Sequence, residues 1–201
     1  MSNMLGDALV ELAGPLKDFL EKLAGPEGRR WLEAFKRFLR KEEPWPAFPI
    51  WKTITIGTHK AVDKLKADLL ANGFQISEWA NDILNRITLA AKKTKLDLVL
   101  VTVAELGFKD GAYLSDIYKR ALEIGLELCP AEAGPQLRLQ YKDQPVNEWI
   151  LIAMEAVSGS DRFLYLFHVE RGDDGAWLRC DLGKPDSFWN GHNRFVFVRR
   201  K

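Results

Sequence analysis

Residues that carry chemistry are thinly spread along this chain. Three histidines, His59, His168 and His192, and two cysteines, Cys129 and Cys180, stand singly. None shows the CxxC, HxxxH or HExxH spacing that seats zinc, so neither a metal site nor a cofactor is expected. Cys129 with His168 or His192 and an aspartate would make a nucleophile, because a thiolate needs a base or a positive charge beside it at neutral pH. No local pattern assembles that set. Cys129, before Pro130, reads as a small apolar filler, and His168, in the alternating run Phe163 to Val169, as a half-buried sheet residue. Gly57-Thr58-His59-Lys60 follows a strand and opens a helix but lacks the glycines of a phosphate loop or dinucleotide fingerprint. It offers at most an anion seat at a helix N-terminus.

The polar residues give a better starting point. Gln136, Arg138 and Gln140 alternate with Leu137, Leu139 and Tyr141, so a strand over residues 136–142 would present three hydrogen-bonding side chains on one face. That is a ligand-reading surface, weighed against a solvated sheet face with an ordinary arginine–carboxylate pair. Glu132 precedes it. Glu105, Lys109 and Asp110 follow an expected core strand, at the end where open α/β sheets bind ligands. If these groups converged, carboxylates Glu105, Asp110 and Glu132 would transfer protons while Arg138 held an anionic group, giving a small hydrolase or transferase. RNA binding is the third alternative. Arg162, Phe163, Tyr165, Phe167, Trp177, Arg179, Phe195, Phe197 and Arg199 interleave cations with rings on which bases stack. The same period of two describes rings turned into a core, and RNA binding requires Phe163, Tyr165 or Phe167 to face solvent. Trp189, Asn190, His192 and Arg194 form a loop able to meet a partner or close the sheet.

Several elements must position these groups. Gly14-Pro15 and Gly25-Pro26 divide the first forty residues into short helices. In the third, Trp31, Leu32, Phe35, Phe38 and Leu39 share an apolar face at steps of three and four, opposite Arg29, Lys36, Arg37 and Arg40. Trp31, Phe35 and Phe38 there, with Trp189, are the candidate anchors for a partner, weighed against a helix face that packs on the rest of the same protein. Glu42 to Pro49 holds three prolines and reads as an extended strap. Beyond it come a strand at Thr53 to Ile56, a helix to Leu70, a short strand at Phe74 to Ile76 completing a β-α-β unit, and a helix capped by Ser77. The two helices around Gly73 invite a helix-turn-helix comparison. The second offers Glu78 and Asp82 with one basic residue, which does not suit a recognition helix. Leu96 to Val103 is the expected core strand, and a helix capped by Ser115 and ended by Gly125 completes a crossover. Five strands then follow: 136–142, 148–157, 162–171, 176–181 and 195–199. Their short turns, Ser158 to Asp161 and Gly172 to Gly175, mark an antiparallel meander.

Composition bounds the whole. With 201 residues, 47% hydrophobic and 28% charged, the chain is long enough to bury one substantial core or two small ones. Lys+Arg 29 against Asp+Glu 28 gives a formal charge of +1, which supplies no global pull toward nucleic acid or anionic membrane. The longest apolar stretch, Trp149 to Val157, is broken by Glu155 and falls short of the roughly 20 residues of a membrane-spanning helix. Without a basic n-region and an unbroken apolar core at the start, a cytoplasmic location is expected.

Ala104-Glu105-Leu106-Gly107-Phe108-Lys109-Asp110-Gly111-Ala112 and Leu126-Glu127-Leu128-Cys129-Pro130-Ala131-Glu132, continuing from Gly134 to Pro145, resemble blocks of uncharacterised bacterial proteins from genome and metagenome surveys. The likeness extends over Trp51 to the C-terminus and includes Trp79 to Leu84 and Val196 to Arg199. It implies a bacterial cytoplasmic setting and no activity or site. The expectation is therefore an α+β protein: a helical N-terminal extension over 1–43, a proline-aromatic strap over 44–50, and a body over 51–201 with βα units before a mostly antiparallel sheet. Its expected role is a binding or interaction module. The partner is another protein or a second copy, rather than nucleic acid or membrane.

Overall fold

A computed structural model describes residues 4–40 and 48–199, and the chain separates into two compact units, Met1–Ala47 and Phe48–Lys201. In the first unit, leucines at helical spacing fold Met4–Ala24 into α1, and the Trp31/Phe35/Phe38 pattern folds Gly28–Leu39 into α2. The two helices pack as a hairpin, with the Phe19 and Phe35 rings 4.7 Å apart and the Lys22 ammonium 4.6 Å from the Trp31 ring. Gly25-Pro26 turns the chain, and the Gly28 amide closes the turn on the Gly25 carbonyl. The break expected at Gly14-Pro15 does not occur: α1 runs through Pro15. A proline keeps a helical φ and forfeits one intrahelical bond at a cost of about 3 kcal/mol, which the good helix formers on either side offset. Residues 41–47, which include most of the expected strap, lie outside the described residues.

The second unit contains β1 (Lys52–Ile56), α3 (Val62–Ala71), β2 (Gln75–Ile76), α4 (Glu78–Leu84), β3 (Thr94–Thr102), β4 (Ala112–Tyr113), α5 (Leu114–Glu123) and β5 (Leu126–Glu127). It continues with α6 (Ala133–Gln140), β6 (Glu148–Ile152), β7 (Val157–Ser158), β8 (Leu164–Gly172), β9 (Gly175–Leu182), β10 (Phe188–Trp189) and β11 (Arg194–Arg199). The architecture is α+β. Strands run β1-β3-β11-β6-β8-β9-β2 across one mixed, mostly antiparallel sheet, while β10 and β4 form a separate two-stranded ribbon. β6, β8 and β9 are the expected meander, and Asp173-Asp174 makes its tight hairpin turn between Gly172 and Gly175. β11 joins parallel to β6 and antiparallel to β3.

Four local expectations are corrected. Residues 136–142 are not a strand: 133–140 form α6. β1 and β2 lie at opposite edges of the sheet, so residues 53–76 do not make a closed β-α-β unit. β3 is flanked by strands on both sides but stands one place from an edge, and β6 occupies the middle. Tyr113, not Ser115, is the N-cap of α5, because the Leu114 and Ser115 amides are held by the Ser187 and Pro185 carbonyls and the helix starts two residues earlier than a Ser115 cap would set it. Ser77 does cap α4, accepting from the Ala80 amide, and Gly125, at φ 84°, ends α5.

The sheet curls so that α6 touches β1, β8 and β9 together. Strand register separates its two faces. The inner face carries Tyr165, Phe167 and Val169 of β8, all buried. α6 lies so close to it that a Cβ on Gly134 would come within 2.7 Å of the Phe167 Cβ. Trp79 of α4 stacks on Tyr165 at 5.6 Å. On the outer face, Phe195 and Phe197 of β11 are covered by Tyr118 of α5, at 6.5 and 6.1 Å. The Tyr118 hydroxyl donates to the Met154 carbonyl and accepts from the Met154 amide.

Candidate functional site

A helix at 133–140 changes which polar residues share a side. With 3.6 residues per turn, positions four apart align, so Glu132, Gln136 and Gln140 form one row and Arg138 departs from it. The alternation that resembles a strand is overridden because α6 is enclosed by β1, β8, β9 and α3, leaving Gly134, Pro135, Gln136, Leu137 and Arg138 all buried. Pro135 sits in the first turn, where its missing N–H has no intrahelical partner to lose.

The row is wired by hydrogen bonds. Glu132, wholly buried, accepts at Oε1 from the Gly57 amide (2.8 Å) and the Gln136 amide group (3.1 Å), and at Oε2 from the Ala90 amide (2.7 Å). Gln140 donates to Gln136 Oε1 and clasps edge strand β1 by bonding both the amide and the carbonyl of Thr55 at 2.9 Å. Arg138, also fully buried, donates to Gln144 and to the carbonyls of Tyr141 and Glu170, with its guanidinium 4.7 Å from the Phe74 ring. Burial first, then the charge of Arg171, pulls it down to about 10. These candidates are thus internal struts between helix, sheet and loop.

The row ends on a second group. Gln136 Nε2 donates to Thr58 Oγ1 at 2.7 Å and lies 3.2 Å from His59 Nδ1. Thr58 Oγ1 is 2.9 Å from the same Nδ1, and the opposite ring nitrogen, Nε2, is 2.8 Å from Asp68 Oδ2. Hydroxyl, imidazole and carboxylate therefore stand in series, with His59 largely covered and Thr58 exposed. The turn from β1 into α3 places Thr58 and His59. Gly57 makes it with φ 70°, which a side chain would resist. Asp68, two turns into α3, leans back toward the helix start. Sequence reading singles out Gly57 to Lys60 only as a failed phosphate loop. The added signal is a histidine three residues before a helix and an acid six residues into it, a spacing that no periodicity marks.

A third cluster occupies the outer face, where register aligns Trp149, Glu170 and Trp177 in one row and Leu151, His168 and Arg179 in the next. His168 Nε2 lies 3.2 Å from Glu170 and Nδ1 3.1 Å from Asp181, the latter off the hydrogen-bond line. Its ring packs 5.2 Å from Trp149. Arg179 lies 4.2 Å from the Trp177 ring and pairs with Glu170 and Asp174. Trp189 packs on Trp149 and Phe195, with its indole N–H buried and lacking an acceptor.

The remaining candidates stay apart. Exposed Glu105 accepts from the Thr102 amide and hydroxyl, closing its own turn, and Lys109 and Asp110 are exposed farther along that loop. Cys129 donates to the Val196 carbonyl at 3.4 Å, and burial pushes its thiol up, the opposite of what a nucleophile needs. Phe163 is 45% exposed with Lys184 over its ring, whereas Tyr165, Phe167, Phe195 and Phe197 are buried. Of the three rings whose exposure RNA binding requires, Phe163 faces solvent and Tyr165 and Phe167 do not. Among the described residues no helix is long and apolar enough to cross a membrane, and no group of three His, Cys, Asp or Glu is set to hold a metal.

No family model, curated protein or solved structure matches the chain. Functional conclusions rest on the side chains themselves.

Proposed function

We propose that the chain is a bacterial cytoplasmic binding module whose α1–α2 hairpin docks on the hairpin of a second copy. The observation that carries this is the apolar surface the hairpin leaves open. Leu16, Leu20, Leu32, Phe35, Phe38 and Leu39 are all exposed, Phe38 by 66% and Leu39 by 63%. Two helices cannot enclose such a surface, and pairing two hairpins into a four-helix bundle buries it. Charge favours a second copy as the occupant. α1 carries four acidic residues against two basic, and α2 four basic against one acidic. Setting α1 of one copy beside α2 of the other brings unlike charges together. The cytoplasmic assignment is supported by Cys129 and Cys180, which are free thiols.

Light scattering on the eluting protein tests the assembly against the 22.9 kDa chain mass. A dimer that becomes a monomer in the Phe38→Asp/Leu39→Asp variant, with helical content retained, is the expected result. A monomeric wild type at about 50 μM, many times a micromolar dissociation constant, overturns it. A hydrolase built from Glu105, Asp110, Glu132 and Arg138 lacks support, since each is engaged locally or exposed alone.

A further inference from the structure

We infer that Thr58 is an acyl-accepting nucleophile, with His59 as its base and Asp68 as the group that orients the base. This goes beyond the docking role of the hairpin and does not depend on it. The support is the direction of each hydrogen bond. Gln140 donates to Gln136 Oε1, which fixes the Gln136 amide so that its nitrogen faces Glu132, Thr58 and His59. One Gln136 proton goes to the Glu132 carboxylate. The other goes to Thr58 Oγ1, the closer of the two remaining acceptors. Thr58 Oγ1 thus has a lone pair engaged, and its own proton is free to point at His59 Nδ1. Asp68 Oδ2 accepts from His59 Nε2, so the ring carries a proton there and offers the Nδ1 lone pair to the Thr58 hydroxyl. Nucleophile, base and orienting carboxylate fall in the order and at the distances that acyl transfer requires.

The turn supplies the rest. Thr58 is exposed and accessible to substrate. α3 begins shortly after it, and its N-cap, Ala61, makes no side-chain cap bond. The first-turn amides of α3 therefore have no side-chain cap from Ala61, and a helix start of this kind favours negative charge. The substrate class is a carboxylic ester. Thr58 Oγ1 bonds to the acyl carbon as its proton passes to His59 Nδ1. The ester C–O bond then breaks and the leaving alcohol takes that proton. Water releases the acyl group by the same route: its proton goes to Nδ1, its oxygen bonds to the acyl carbon, and the acyl–Thr58 bond breaks as Oγ1 regains the proton.

The test uses the full chain with p-nitrophenyl acetate, following p-nitrophenolate release and mapping the acetyl group by peptide mass. The expected outcome is acetylation at Thr58, with release in Thr58→Val and His59→Gln lower by about 10²- to 10⁴-fold. Asp68→Asn should lose at least about tenfold. Thr58→Ser keeps the network and retains release, which covers the case in which Thr58→Val fails to fold. Release by the wild type no faster than by a folded Thr58→Val, or an acetyl group found only on lysines, overturns the inference. A purely structural Thr58–His59–Asp68 series would change the urea midpoint but not ester release.

Discussion

At the scale of single residues, the polar groups most easily picked out of the sequence hold the body together. Glu132 receives two backbone amides and a side-chain amide in a site without water access. Glu132→Ala leaves those donors unpaired, and an unsatisfied buried group costs about 1–3 kcal/mol. A loss of about 3–5 kcal/mol is expected for the three together, read as a lowered urea midpoint at unchanged slope. Gln136, Arg138 and Gln140 were legible as unusual because they alternate with Leu137, Leu139 and Tyr141, and Glu132 because it stands just before them. The burial of Glu132, Gln136 and Arg138 was not legible, since alternation over residues 136–141 is as compatible with an enclosed helix as with a strand. Asp68 was invisible for another reason: its partner is nine positions away, a separation set by the turn at Gly57 and not by any period.

At the scale of elements, α6 is the piece on which the others are assembled, because it meets β1, α3, β8 and β9. Its closeness to the sheet rests on Gly134, where a Cβ would press on Phe167 at 2.7 Å. Gly134→Ala should push the helix off β8 and cost about 1–3 kcal/mol by overpacking. The same change at Gly14, where a Cβ meets nothing within 4 Å, should be neutral or stabilising by up to about 1 kcal/mol, since alanine is the better helix former. Parallel urea titrations of the two variants check the contrast. Helices α3, α4 and α5 and the β6-β8-β9 meander were readable because each has its own apolar period and a glycine or cap at its end. β4, β5, β7 and β10 are two residues long, too short to carry a period at all, whereas the equally short β2 falls within the strand expected at Phe74 to Ile76.

For the whole molecule, buried acids of high pKa set an upper limit of pH. Burial pushes the Cys180 thiol from its ordinary 9.0 up to about 12 and raises Cys129 and the hydroxyls of Tyr118 and Tyr141 as well. A group raised in the folded state keeps its proton while the unfolded chain releases it. Stability is therefore full below the unfolded value and falls as pH climbs through the interval up to about 12. Urea midpoints measured from about pH 8 to about pH 11 should decline throughout the upper part of that range, and a flat profile would contradict the burial of these groups. The α+β class could be read from the order of elements, but the strand order could not, since β11 reaches its neighbours across long stretches of sequence. Its position has a consequence for biosynthesis. β11 lies between β3 and β6, two strands that are synthesised before residue 194. Until β11 is made, each of them has one edge without its final partner, so the sheet closes late.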